Sequence, residues 1–184
     1  HALGRTPLAN ALVSLVELAR LTELRCPAND AVKIQDYYTT TGWRIDAAAL
    51  DAMRAAQRQS NRAAVDSALV ALYQPWPWET AERYQAAVAS LPLPSAPASL
   101  SPAPCTCVLF ADGLRYDLAA RLAAQLEGLG YGAELSVETG PIPGITSSAK
   151  PAQSPVTDLL TGGSKFEVNV VETGSTHTAA TMRK

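Results

Sequence analysis

Four residues in the second half of the chain could carry chemistry: Asp112, Thr146, Arg115 and Lys150. Asp112 stands where an apolar run, Thr106 to Ala111, gives out. A carboxylate there is a hard oxygen ligand for a divalent cation, or an acceptor for a phosphoryl group. It also suits a plain turn, since Asp-Gly is a common turn pair and Asp caps helices. Thr146, Ser147 and Ser148 form a hydroxyl cluster ahead of a helix-like segment. Such hydroxyls cap helices. At a helix start the backbone N–H groups and the dipole also favour a phosphate or an alkoxide. Lys150 suits charge stabilisation on a transferred phosphoryl group. Arg115 suits a phosphate or a surface ion pair, and Asp117 suits the N-terminal end of a helix through the macrodipole.

The elements that must position these residues follow a strand–helix order. Thr106–Ala111 reads as a buried strand. Tyr116–Leu129 has Leu118, Leu122, Leu126 and Leu129 at helical spacing and ends in glycines. Ala133–Thr139 reads as a second strand, 140–145 as a Pro/Gly loop, and Ser148–Leu160 as a helix with Pro151 and Pro155 as candidate kinks. Phe166–Val171 reads as a third strand, and Thr176–Lys184 as the beginning of a helix. This order predicts a parallel α/β sheet with ligands at the carboxyl ends of its strands.

The first half has a different character. Thr6 to about Arg25 predicts an amphipathic helix, with Pro7 at its first position and Leu8, Leu12, Leu15, Val16 and Leu18 at helical spacing. Asp30 caps a short helix through Tyr38, Gly42 breaks the pattern, and Trp43 is a packing anchor. Asp46 caps a third helix through about Gln57. A fourth runs from Asn61 to Tyr73 and a fifth from Pro77 to Ser90. Trp76 and Trp78 read as core or interface anchors, since no basic cluster flanks them to make a stacking platform. Leu91–Pro104 holds five prolines among Ser and Ala, which neither a helix nor a central strand tolerates. The expected organisation is therefore a helical domain over 1–90, a Pro-rich linker over 91–104 and an α/β domain over 105–184.

Composition limits the function classes. Lys+Arg 15 against Asp+Glu 17 leaves no broad basic surface for non-specific nucleic-acid binding. Cys26, Cys105 and Cys107 make no disulfide framework and read as buried thiols in a reducing, cytoplasmic setting. No apolar stretch of about 18 residues suggests a membrane span. The lack of an initiator methionine and the charged end at Arg183-Lys184 read as an excerpt from a longer protein.

Two runs resemble a known family. VLFADGLRYDLAARLAAQLEGLGY and PIPGITSSAKPAQSPV are similar to the PglZ domain of bacterial phage-defence systems of the BREX and phage-growth-limitation type, within the alkaline phosphatase superfamily. TTTGWRIDAAALDAM and ALYQPWPWETAERYQAAV resemble the helical region upstream of that domain, so the likeness runs from Tyr37 to Leu160. The resemblance implies an N-terminal helical bundle followed by part of an alkaline-phosphatase-like parallel α/β sheet. It implies that Asp112 is a metal ligand and that Thr146 of the Pro-x-x-Thr pattern is the nucleophile and a metal contact, with Ser147 one register away. Attack by the Thr146 alkoxide on phosphorus would give a phospho-threonine that water then hydrolyses. Mg²⁺ or Ca²⁺ suits oxygen-only coordination, while the mixed Asp/His shell of the superfamily favours Zn²⁺. It also implies partners among other phage-defence proteins, and nucleic acid reached through the parent protein. The superfamily's two-metal centre needs further Asp and His ligands, whereas this chain has only His1 and His177. His177 itself reads as solvent-exposed. The expectation is a half site with weak or no activity by itself. Two other readings stand beside it: a non-catalytic scaffold of a defence complex, and an aspartyl-phosphate enzyme with Asp112 as acceptor. The absence of an Asp-x-Asp motif at Asp112-Gly113-Leu114 counts against the last.

Overall fold

The computed structural model describes residues 7–27, 30–56, 59–91, 103–109, 111, 113–138, 140, 152, 154, 156–162 and 167–176. The chain divides into two compact units. One joins His1–Leu91 to Arg115–Ala133, and the other joins Pro92–Leu114 to Glu134–Lys184.

The first unit is helical: α1 (Pro7–Thr22), α2 (Ala31–Tyr37), α3 (Trp43–Ala55), α4 (Gln59–Leu72), α5 (Pro75–Val88) and α6 (Tyr116–Gly128). Asp30 caps α2 as its sequence position suggests, its carboxylate accepting from the Lys33 N–H at 3.1 Å. Between α2 and α3 the backbone does not break. Tyr38–Gly42 forms a π-helical turn, so the chain stays helical from Ala31 to Ala55. The Thr39 and Thr40 hydroxyls donate to the Gln35 and Asp36 carbonyls just ahead of it, at 3.1 and 2.7 Å.

Gly42 therefore does not act as the helix breaker expected of it. Its backbone is ordinary right-handed helix. Its value is size: a Cβ there would lie 3.0 Å from the Tyr38 ring and 3.2 Å from the Trp76 ring. Asp46, expected as the cap of α3, lies inside the helix, which starts at Trp43.

The core lies where α1 meets α3 and α4. Leu18, Ile45 and Val65 are fully buried, and the small Ala11, Ala48, Ala49 and Ala52 let the helix backbones approach. Burial of each large side chain contributes about 1.5–3 kcal/mol. Only part of the apolar stripe of α1 is used, since Leu8, Leu12, Val13 and Val16 stay exposed. Of the two turn tryptophans, Trp76 is buried and Trp78 is exposed. α6 ends in a Schellman motif: Gly130 takes φ 86°, its N–H donates to the Glu127 carbonyl, and the Tyr131 N–H donates to that of Leu126.

The second unit departs from the parallel sheet expected. Its ladder is a two-stranded antiparallel pair, β1 (Leu160–Gly162) and β2 (Val168–Val170), with Leu160 opposite Val170 and Gly162 opposite Val168. A connection this short returns the chain on itself, whereas parallel neighbours need a crossover of a dozen residues or more. β2 falls within the strand expected over 166–171. Leu160 was expected in a helix, but the chain there makes one 3₁₀ turn, Thr157–Leu159, before entering β1. Among the described residues, 106–109 and 133–138 pair with no strand, and Val108, Leu109, Leu135 and Val137 are exposed. An apolar run is compatible with a strand, but only a neighbouring strand makes it one. For the same reason Cys105 and Cys107 are exposed, and only Cys26 is buried. Among the described residues no helix is long and apolar enough to cross a membrane.

The crowding at Gly42 sets the sign of a substitution. Gly→Ala inside an open helix stabilises by about 0.5–1 kcal/mol. Here the new methyl must displace two aromatic rings, so Gly42→Ala is expected to cost about 1–3 kcal/mol. A urea midpoint that falls supports the packing account, and one that rises contradicts it.

Candidate functional site

Of the residues picked out for chemistry, Asp112, Thr146, Ser147, Ser148, Lys150 and His177 lie outside the described residues. Arg115 and Asp117 are described: Asp117 is buried, and the half-exposed Arg115 joins it to a polar cluster in the helical unit.

Its centre is Asp46, whose residue is 7% exposed. One face of α3 carries Asp46 with the buried Ala49, so the carboxylate points among apolar neighbours and must find donors. Two come from tyrosines. Tyr38, in the π turn, donates to Oδ2 at 2.6 Å, and Tyr73, just beyond α4, donates to Oδ1 at 2.5 Å. The third is Arg115, whose Nη2 lies 3.5 Å from Oδ1. Arg115 immediately precedes α6, and its Nε donates to Asp117 Oδ1 at 2.9 Å. Asp117 is fully buried, and its Oδ2 has no hydrogen-bond partner among the described residues.

Aromatic packing surrounds the cluster. Tyr38 stacks on Trp76 and tilts against Tyr116, and Trp76 Nε1 donates to the Tyr37 hydroxyl at 3.1 Å. The Tyr116 hydroxyl donates to the Thr39 carbonyl over a long 3.4 Å. One turn further along α6, Arg121 clamps Asp51 with both amino groups at 3.0 and 2.8 Å and donates to the Ala47 carbonyl.

These surroundings shift the ionisable groups. Burial, then the hydrogen bond to Asp46 and its charge, hold the Tyr38 and Tyr73 hydroxyls well above the usual phenol range. Burial opposes the charge on Arg115, but the hydrogen bond and charge of Asp117, with the charge of Asp46, outweigh it and raise its pKa. The Arg121 pKa is raised chiefly by its hydrogen bond to Asp51.

The arrangement holds helices together. The tyrosines stay protonated donors, donors reach both oxygens of Asp46, and the Arg115 guanidinium, which suited a phosphate or a surface ion pair, pairs here with two carboxylates. Asp46 reads as a helix cap in the sequence, and Tyr38 and Tyr73 as helix ends, so nothing local marks the three as partners. An Asp on the same helical face as buried alanines was the available signal. The donor chemistry of the described residues does not suit a divalent cation: Arg115 bridges Asp46 and Asp117, and no group of three His, Cys, Asp or Glu side chains converges.

No family model, curated protein or solved structure matches the chain.

The cluster makes two linked predictions. Asp46→Ala strands two buried hydroxyls and half of the Arg115 contacts, at a cost of about 2–4 kcal/mol by denaturant unfolding. In the unmodified chain the Tyr38 and Tyr73 pKa values lie above their unfolded value of about 10. Their contribution to stability is thus complete below about pH 10 and is lost as pH rises beyond it. Ultraviolet titration should find these two phenols still protonated at about pH 10. Their ionisation there with the fold intact would contradict the geometry.

Proposed function

We propose that the chain is the N-terminal part of a PglZ-type phage-defence protein whose complete form is a metal-dependent phosphoester hydrolase. In this reading Thr146 is the hydroxyl nucleophile and Asp112 supplies a carboxylate ligand to a divalent cation, Zn²⁺ by the superfamily's ligand preference. The alkaline-phosphatase-like sheet, the two-metal centre and the phage-defence partners belong to the same proposal. One structural observation supports it beside the sequence resemblance. Gly113 adopts φ 74°, a left-handed conformation that suits glycine, three residues before α6 begins at Tyr116. Open α/β sheets bind ligands outside the carboxyl ends of their strands, and the proposal puts Asp112 at such an end. Arg115 is left out of the proposed phosphate contacts because its guanidinium is already paired. Lys150 remains the candidate cation.

A second reading, a docking module for a protein partner of a defence complex, is favoured by the exposed stripe of Leu8, Leu12, Val13 and Val16 on α1.

The test is hydrolysis of p-nitrophenyl phosphate and bis-p-nitrophenyl phosphate with Zn²⁺, by the protein that carries the full ligand set. Thr146→Ala and Asp112→Ala should each lower kcat/KM by roughly 100-fold or more, about 2.7 kcal/mol of transition-state stabilisation. The 184-residue chain alone should turn over near background. Activity indifferent to both substitutions would remove the hydrolase reading and leave the docking module.

A further inference from the structure

Cys105 and Cys107 are free thiols, and both are exposed. Only Thr106 separates them. The bend that carries them is well defined. The Thr106 N–H donates to the Ala103 carbonyl at 3.1 Å, which closes a turn with Pro104 second and Cys105 third. Cys105 takes φ 65°, and it is the one non-glycine residue with positive φ among the described residues. Proline followed by a left-handed residue is the pattern of a type II turn, where glycine is usual at the third place. A cysteine there is strained by its own Cβ.

Covalent reach decides what two such thiols can do. Two steps of chain span at most about 7 Å. A disulfide needs its Cα atoms within about 6.8 Å, and one held outside its preferred geometry is strained and easily reduced. A Cys105–Cys107 bridge is therefore within reach of a small backbone change at Thr106, and its small ring keeps it labile. Residues 106–109 belong to no ladder among the described residues, so no strand pairing opposes that change.

The third cysteine marks the contrast. Exchange with a disulfide needs an accessible thiolate. Cys26 is buried, and that burial pushes its pKa up. Redox-responsive cysteines are accessible and stand beside a second thiol that resolves the first adduct. Of the three cysteines, Cys105 and Cys107 meet both conditions, each as the other's neighbour.

We propose that Cys105 and Cys107 form a redox-responsive dithiol, which closes reversibly to a disulfide by exchange with a low-molecular-weight disulfide of the glutathione type. One thiolate attacks a sulfur of glutathione disulfide. That S–S bond breaks, one glutathione thiolate leaves, and a mixed disulfide remains on the protein. The second cysteine, as its thiolate, attacks the cysteine sulfur of the mixed disulfide and expels the other glutathione. The protein loses two electrons, glutathione disulfide is reduced to two thiols, and the two protein protons pass to them. The pair is independent of Asp112 and Thr146.

The test treats the reduced 184-residue chain with excess glutathione disulfide, quenches it with acid and reads the intact mass. The main product should have lost two hydrogen atoms and gained no glutathione, with peptide mapping placing the bridge between Cys105 and Cys107. Cys26 should react at least tenfold more slowly than either. Millimolar reduced glutathione should reopen the ring. Cys105→Ser and Cys107→Ser, both surface changes, should each hold one glutathione on the remaining exposed cysteine. Lasting mixed disulfides on the unmodified chain would overturn the proposal, as would thiols that stay unreacted. So would a bridge that uses Cys26 or joins two chains, equal reactivity of Cys26, or a ring that reduced glutathione leaves closed.

Discussion

A carboxylate buried among alanines is the constraint on which the helical unit depends. A carboxyl group at that place needs donors on both of its oxygens, because a buried polar group left without partners costs several kcal/mol. Tyr38, Tyr73 and Arg115 meet that need from three separate stretches of chain. The cluster thus ties the π turn, the end of α4 and the start of α6 to one side chain of α3. Such a network is demanding in its geometry. Each donor must arrive at the correct place, and a helix out of register would leave a buried polar atom unpaired.

The π turn is the local solution to that demand. A straight α-helix from Ala31 to Ala55 would advance by a different angle per residue, and one wider turn rotates α2 relative to α3. The turn places Tyr38 over Asp46 and brings its ring against Trp76. Gly42 makes the close approach possible by presenting no side chain to those rings. The Thr39 and Thr40 hydroxyls bind back to carbonyls in the last turn of α2.

Much of the helical half was legible in the sequence. The leucine spacing of α6, the Asp30 cap and the paired glycines after α6 all act as local rules say they should. Those signals are short-range and need no knowledge of partners. What could not be read depended on distant residues. Gly42 looks like a breaker unless Trp76 is known to lie above it. Asp46 looks like a cap unless Tyr38 and Tyr73 are known to converge on it. Arg115 looks free for a phosphate until the carboxylates on either side of it are placed. The described residues 106–109 and 133–138, read as strands, pair with none, since a strand exists only through its neighbour. The candidate catalytic pair Asp112 and Thr146 was read from spacing and resemblance, and the described residues add only the Gly113 turn beside it.

Arg115, at the start of α6, pairs with Asp46 of α3 and with Asp117 of its own helix. The central claim is that Asp46, through Arg115, holds the start of α6 on the helical unit. Native-state hydrogen exchange of Asp46→Asn tests it most directly. The account requires the amides of the first turns of α6 to lose protection well beyond any loss in α1. Equal loss in both helices, or unchanged protection in α6, would contradict it.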